Sequence, residues 1–148
     1  MISQDESITK LNSTSFNRHY TYAKYIKDLY IIVKTLTYQN NFTKDNIHIY
    51  PTNSLSKLTF FIDAYKIGSK ILASYEIDLI TTQDAFLTGF VGYLLKKRFN
   101  KPLNLQVHAD FFDNKFWLNE RFLINRILNY LGKWLLQSEL VHPMRKKN

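Results

Sequence analysis

Four short apolar runs alternate with segments of helical periodicity, and that alternation limits most what this chain can become. Residues 29–33 read Leu-Tyr-Ile-Ile-Val, a nearly continuous β-branched stretch of the kind a strand buried on both faces requires. Residues 46–50, stopped by Pro51, and residues 78–82 read as further short strands. Residues 103–108 alternate apolar and polar after Pro102 bars a helix. Between these runs lie stretches long enough to cross over a sheet. Residues 16–27 follow Ser13, Thr14 and Ser15, all good N-caps, and residues 55–74 carry a broad apolar stripe. Residues 86–99 follow Asp84 as a capping residue and contain Gly89 and Gly92, which permit close packing. Residues 115–136 present Trp117, Leu123, Ile124, Ile127, Leu128, Leu131, Trp134 and Leu135 as one apolar face. Strand and helix in alternation predict an α/β fold, a Rossmann-like parallel sheet with strands near 29–34, 46–50, 78–82 and 103–108 and helices on both faces.

The 148 residues suffice for one domain, with no internal repeat or Pro/Gly-rich linker to divide it. The absence of cysteine excludes disulfides, thiolate metal sites and cysteine nucleophiles. His19, His48, His108 and His142 are scattered without metal-ligand spacing. No P-loop, no G-x-G-x-x-G and no G-x-S-x-G elbow occurs. The net charge of +8 is uneven: residues 1–95 are nearly balanced, whereas residues 96–148 hold eleven Lys or Arg against four Asp or Glu. An anionic partner near the C-terminal third is expected, whether membrane lipid, a phosphorylated substrate or nucleic acid. Lys96, Lys97, Arg98 and Lys101 form the compact part of that patch, although cations at a helix end also complement its dipole.

Ligands of an open parallel sheet sit at the carboxyl ends of its strands. Two such ends carry polar residues here: Thr82-Gln83-Asp84, and His108-Ala109-Asp110. Each has a plain structural reading beside the functional one. Capping alone accounts for Asp84, Asp110 serves as a turn former, and His108 suits a hydrogen-bonded structural role.

The stretch from Asp78 through Gln83, Asp84, Gly89 and Gly92, followed by Pro102 to His108 and Asp110, resembles the N-terminal domain of glycosyltransferase family 4, one half of a GT-B fold. Ile2-Ser3-Gln4-Asp5 resembles the end of that family's first strand. Arg18 with Tyr22-Ala23 resembles its first helix, and Phe111-Phe112 through Leu136 resembles its later part. Ala109 departs from the pattern, standing where the family has glycine. The resemblance covers residues 1–137 and leaves 138–148 as a basic tail. It implies a glycosyltransferase moving a sugar from a nucleotide-sugar donor to a glycan or lipid-linked acceptor, with no metal or cofactor. It further implies His108 as the catalytic residue and Gln83, Asp84 and Asp110 as acceptor-binding residues. The patch Lys96, Lys97, Arg98 and Lys101 would face an anionic membrane, from the cytoplasmic side. Such an enzyme closes a cleft between two Rossmann-like domains, so this chain is expected to be the acceptor-side half, incomplete at both ends and inactive alone. The alternative is a basic α/β module binding nucleic acid or anionic membrane without catalysis, in which aromatic residues and cations act together. The aromatics follow the apolar faces, which disfavours nucleic acid.

Overall fold

The computed structural model describes residues 1–106, 118–119 and 122–140. In chain order the elements are β1 (Ile2–Ser3), a 3-10 turn (Glu6–Thr9), α1 (Thr14–Ala23), β2 (Leu29–Val33), β3 (Phe42–Lys44) and β4 (Ile47–Pro51). There follow α2 (Phe60–Ser74), β5 (Ile80–Thr82), α3 (Leu87–Phe99), β6 (Leu103–Leu105) and α4 (Phe122–Leu140). One six-stranded sheet has the order β3-β4-β2-β1-β5-β6. Every pairing is parallel except β3 with β4, a hairpin turned through Asp45 at φ 53°. The fold is α/β and Rossmann-like, with an antiparallel edge strand that the apolar pattern did not announce. Phe42-Thr43-Lys44 has a single large apolar residue, because an edge strand is covered on one side only.

The chain leaves β1 toward β2 in one direction and later returns from β4 to β5 in the other. A constant crossover hand then demands helices on opposite faces. On one face Phe16 and Ala23 of α1 pack with Ile31, Val33, Ile47 and Ile49. On the other, Phe60, Ala64 and Ile71 of α2 and Val91 and Leu95 of α3 pack with Ile2, Ile32 and Ile80. A β-carbon added at Gly92 would lie 2.7 Å from Thr82 Cγ2 and 2.8 Å from Leu103 Cδ1. Only glycine lets α3 approach β5 and β6 this closely.

Several boundaries differ from the expected ones, each for a local reason. The second helix starts at Phe60 rather than 55. Ser56 and Thr59 bond reciprocally, the Thr59 amide donating to Ser56 Oγ at 3.2 Å and the Ser56 amide to Thr59 Oγ1 at 3.1 Å. That local pairing holds the preceding turn out of the helix. Ser13 takes the N-cap of α1, accepting from the Phe16 amide at 3.0 Å, and the helix ends at Ala23 rather than 27. Asn46 Nδ2 there donates to the carbonyls of Ala23, Ile26 and Lys27 at 2.7–3.1 Å. Pro51 does not stop β4 but completes it, opposite Val33. Its nitrogen faces the side where β3 has already ended, so no ladder bond is lost. Strand β5 is shorter than expected, and β6 is seen over 103–105 of the expected 103–108, with 107–108 outside the described residues.

The last helix continues to Leu140, past the expected end at 136, while residues 115–117 lie outside the described residues. Its apolar face is only partly used. Leu135 is buried and Trp134 meets Tyr93 edge-on at 5.1 Å, but Leu123, Ile124, Ile127 and Tyr130 are exposed. The expected apolar face thus leaves Leu123, Ile124 and Ile127 uncovered among the described residues. Helix α4 lies along α3 rather than over the sheet, so one edge of it suffices for packing. No helix among the described residues is long and apolar enough to cross a membrane.

Candidate functional site at the strand switch point

Strand β1 sits between β2 and β5, and the connections that leave its two sides diverge. This is the switch point of an open α/β sheet, where the loops part and leave a crevice beyond the carboxyl ends. Ser3, Gln4 and Asp5 reach it from β1, Gln83 and Asp84 from β5, and Lys34 from β2. His19 reaches it from α1.

Two chains of hydrogen bonds organise the crevice. In the first, the Ser3 hydroxyl, fully buried, donates to Gln83 Oε1 in a short contact. Gln83 Nε2 meets His19 Nε2 at 3.4 Å, and His19 Nδ1 lies 2.7 Å from the Ser15 carbonyl. A carbonyl only accepts, so Nδ1 carries the proton and the neutral ring offers a bare Nε2. Burial pushes the His19 imidazole below its ordinary value, with the Arg18 charge acting the same way and the Ser15 bond opposing. In the second chain, Lys34 Nζ donates to Gln4 Oε1 at 3.0 Å, and Gln4 Nε2 donates to Asp84 Oδ2 at 3.0 Å.

Asp5 turns the chain out of β1. Its Oδ1 accepts the amide and hydroxyl of Ser7 at 3.0 and 2.6 Å, and its Oδ2 accepts the Ser15 hydroxyl at 2.6 Å. Burial alone would raise this carboxyl. The Ser15 and Ser7 bonds and the Arg18 charge outweigh burial and hold it below the usual carboxylate range. A solvated group with three donors prefers its charged form.

The sequence-expected residues fare unequally. Gln83 stands at the crevice, half-buried, with its amide donating to the Ile2 carbonyl at 3.2 Å. Asp84 stands three residues before α3, whose N-cap position is Phe86, yet its carboxylate holds the helix start: Oδ1 accepts the Phe86 amide at 2.8 Å and the Thr88 amide at 3.3 Å, and Oδ2 accepts the Thr88 hydroxyl at 2.8 Å. With Gln4 also bound, its carboxylate acts as the joint between α3 and the crevice. His108 and Asp110 lie outside the described residues. Lys96, Lys97 and Arg98 occupy the last turn of α3 and Lys101 follows it, at the opposite, amino edge of the sheet. There Lys97 lies over Tyr93 and Arg98 over Tyr65 and Phe99. Ser3, Gln4, Lys34 and His19 were not anticipated. His19 had a signal: with Phe16, Tyr20 and Ala23 it falls on the buried stripe of α1 at helical spacing. Among the described residues no group of acidic and histidine side chains is arranged to hold a metal ion.

The fold and the crevice define a Rossmann-like α/β domain with a polar site at its switch point. The chain is 38% identical over 90 residues to an uncharacterized glycosyltransferase of Methanocaldococcus jannaschii. That match takes in 58% of this chain and 25% of the archaeal protein, so the chain spans about a quarter of that relative's length. No family profile and no solved structure matches the chain. The archaeal match supports a glycosyltransferase relationship.

Proposed function

We propose that this chain forms the acceptor-binding side of a GT-B glycosyltransferase of the family 4 type, receiving a glycan or lipid-linked acceptor at the switch-point crevice. The observation that carries the reading is the crevice itself: amide, hydroxyl and carboxylate side chains from β1 and β5, already hydrogen-bonded in defined orientations, beside the glycosyltransferase relationship. Groups fixed before the substrate arrives lose little freedom on binding, which is how a transferase holds an acceptor in register. His108 is proposed as the residue nearest the reacting centre and Asp110 as a partner of acceptor hydroxyls, both by resemblance. Donor binding is proposed to lie outside the crevice described here, in keeping with a chain that spans about a quarter of the archaeal relative.

Saturation-transfer NMR on the purified chain tests this with three sets of probes: simple glycosides, nucleotide sugars and single-stranded RNA. Signals from glycosides, without signals from the nucleotide sugars, are expected. RNA signals in place of glycoside signals would replace this reading with that of a basic nucleic-acid module. The cations at the amino edge are proposed to meet anionic lipid, at about 1 kcal/mol per Lys or Arg near the surface. They lie away from the crevice, an arrangement suited to attachment rather than chemistry.

A further inference from the structure

The donors and acceptors of the crevice can be assigned one by one, and the assignment leaves a defined remainder. A glutamine amide offers two N–H groups and two carbonyl lone pairs. His19 presents a bare lone pair at Nε2, because its Nδ1 proton is committed to the Ser15 carbonyl 2.7 Å away. Only the NH2 end of Gln83 fits against that lone pair, at 3.4 Å. Ser3 Oγ accepts the Asp5 amide at 3.0 Å, which frees its own proton for Gln83 Oε1. Gln83 is thus fixed in one sense from both ends, keeping one N–H and one lone pair unused by these partners. Gln4 is fixed equally: Lys34 Nζ only donates and Asp84 Oδ2 only accepts, each at 3.0 Å. It too keeps one N–H and one lone pair. Ile2 pairs with Thr82, so Gln4 and Gln83 follow the ends of neighbouring parallel strands, one residue apart in register.

We propose that Gln4 and Gln83 together form a subsite for two neighbouring hydroxyls of an uncharged sugar, with His19 as the positioning residue that sets the sense of the Gln83 amide. The proposal rests on the acceptor-site reading above and names what the crevice selects. A hydroxyl both donates and accepts, and a pair of them on one ring uses all four remaining positions. A phosphate is mainly an acceptor, with at most one or two P–OH protons to offer the two carbonyl lone pairs. Among the described residues it would also meet the carboxylates of Asp5 and Asp84, against the cations of Lys34 and Arg18. The groups that bear on His19 are Arg18 and Tyr22 of its own helix, Asp5 from the turn after β1, and the Met1 amino group. The ring's Nε2 meets Gln83 Nε2 at 3.4 Å. Protonating His19 would place a donor against the Gln83 NH2 group and turn the amide round.

The test is the side-chain amide spectrum of the 15N-labelled chain, titrated with methyl glycosides of common hexoses and separately with inorganic phosphate. The Gln4 and Gln83 NH2 signals are expected to move with at least one glycoside and to stay still with phosphate. Gln4→Met, at an exposed position, should weaken that glycoside about tenfold, as should His19→Leu, each removing about one well-placed hydrogen bond. His19→Gln returns an acceptor near the position of Nε2 and should restore most of the binding, an outcome that a merely space-filling role for His19 would not give. Glycoside binding with both amide signals unmoved and Gln4→Met without effect overturns the subsite while leaving the acceptor-side reading intact. Movement of the amides by phosphate alone overturns the selectivity. No glycoside binding at all overturns both.

Discussion

The two edges of this sheet are built on opposite plans. At the carboxyl edge polar side chains hold one another: Ser3, Gln83 and His19 in one chain, Lys34, Gln4 and Asp84 in the other. At the amino edge the cations rest on aromatic rings, Lys97 on Tyr93 and Arg98 on Tyr65 and Phe99. Arg98 also donates to the Tyr65 hydroxyl at 3.3 Å, and this bond lowers the phenol below its ordinary value. Hydrogen bonds have direction, so the first arrangement fixes where each donor and acceptor points. A cation on a ring has little directional demand and can turn toward any anion that approaches. One edge is suited to choosing among neutral ligands, the other to adhering to charge.

The largest effect should come from breaking what the two edges share. Gly92→Val would drive its side chain into Thr82 and Leu103 and lift α3 from the sheet. A loss of about 3 kcal/mol in urea unfolding is expected, at the upper end for overpacking. A loss under about 0.5 kcal/mol would mean that the close approach of α3 is not required.

Asp84→Ala sharpens the comparison by removing the joint of the carboxyl edge. It strips the cap from α3 and an acceptor from Thr88 and Gln4, for about 1–2 kcal/mol in thermal or urea unfolding. At the amino edge, Lys97→Glu with Arg98→Glu should cost about 1 kcal/mol in the same unfolding assay, because exposed charges at the end of α3 are reversed against its dipole and lifted from their rings.

pH separates the edges further. Burial holds the folded His19 below its unfolded value, so the unfolded chain takes up the proton first. Its contribution is therefore fully present above the ordinary value of 6.5 and is lost as pH falls through 6.5 toward the lowered folded value. Burial also pushes the Met1 amino group down to about 5, which removes stability between about pH 8 and 5 in the same direction. Comparing wild type with His19→Gln isolates the first effect, because the second is common to both. The difference should grow in favour of the variant as pH drops below 6.5, and an unchanging difference would contradict a neutral, buried His19. The last prediction concerns the basic patch of the amino edge. The Lys97/Arg98 double reversal should abolish co-sedimentation with anionic vesicles at low salt while leaving neutral vesicles unaffected.

Much of this architecture is legible in the residues. The β-branched run at 29–33 and the glycines of α3 announce buried strands and a close helix, and Asp84 announces its cap. Other parts are illegible for physical reasons. Strand β1 is two residues long, too short for any periodicity to register, and shows only through the resemblance of Ile2-Ser3-Gln4-Asp5 to a first strand, yet it forms the centre of the sheet. Asn46 halts the helical region from 20 residues away along the chain, a contact no local pattern contains. The exposed Leu123, Ile127 and Tyr130 show the converse, a strong apolar stripe whose burial depends on what else is near. In the candidate site, Gln83 is visible as a polar residue ending a strand. Its meaning comes from Ser3 and His19, 80 and 64 residues earlier, which only the folded sheet brings to it.

The most direct measurement of the central claim is a crystal structure of the chain soaked with a glycoside that binds in solution. The account predicts a sugar ring at the switch point between β1 and β5, with neighbouring hydroxyls on the Gln4 and Gln83 amides and His19 still bonded to the Ser15 carbonyl. A sugar seated elsewhere on the domain, with the crevice side chains unchanged, would contradict it.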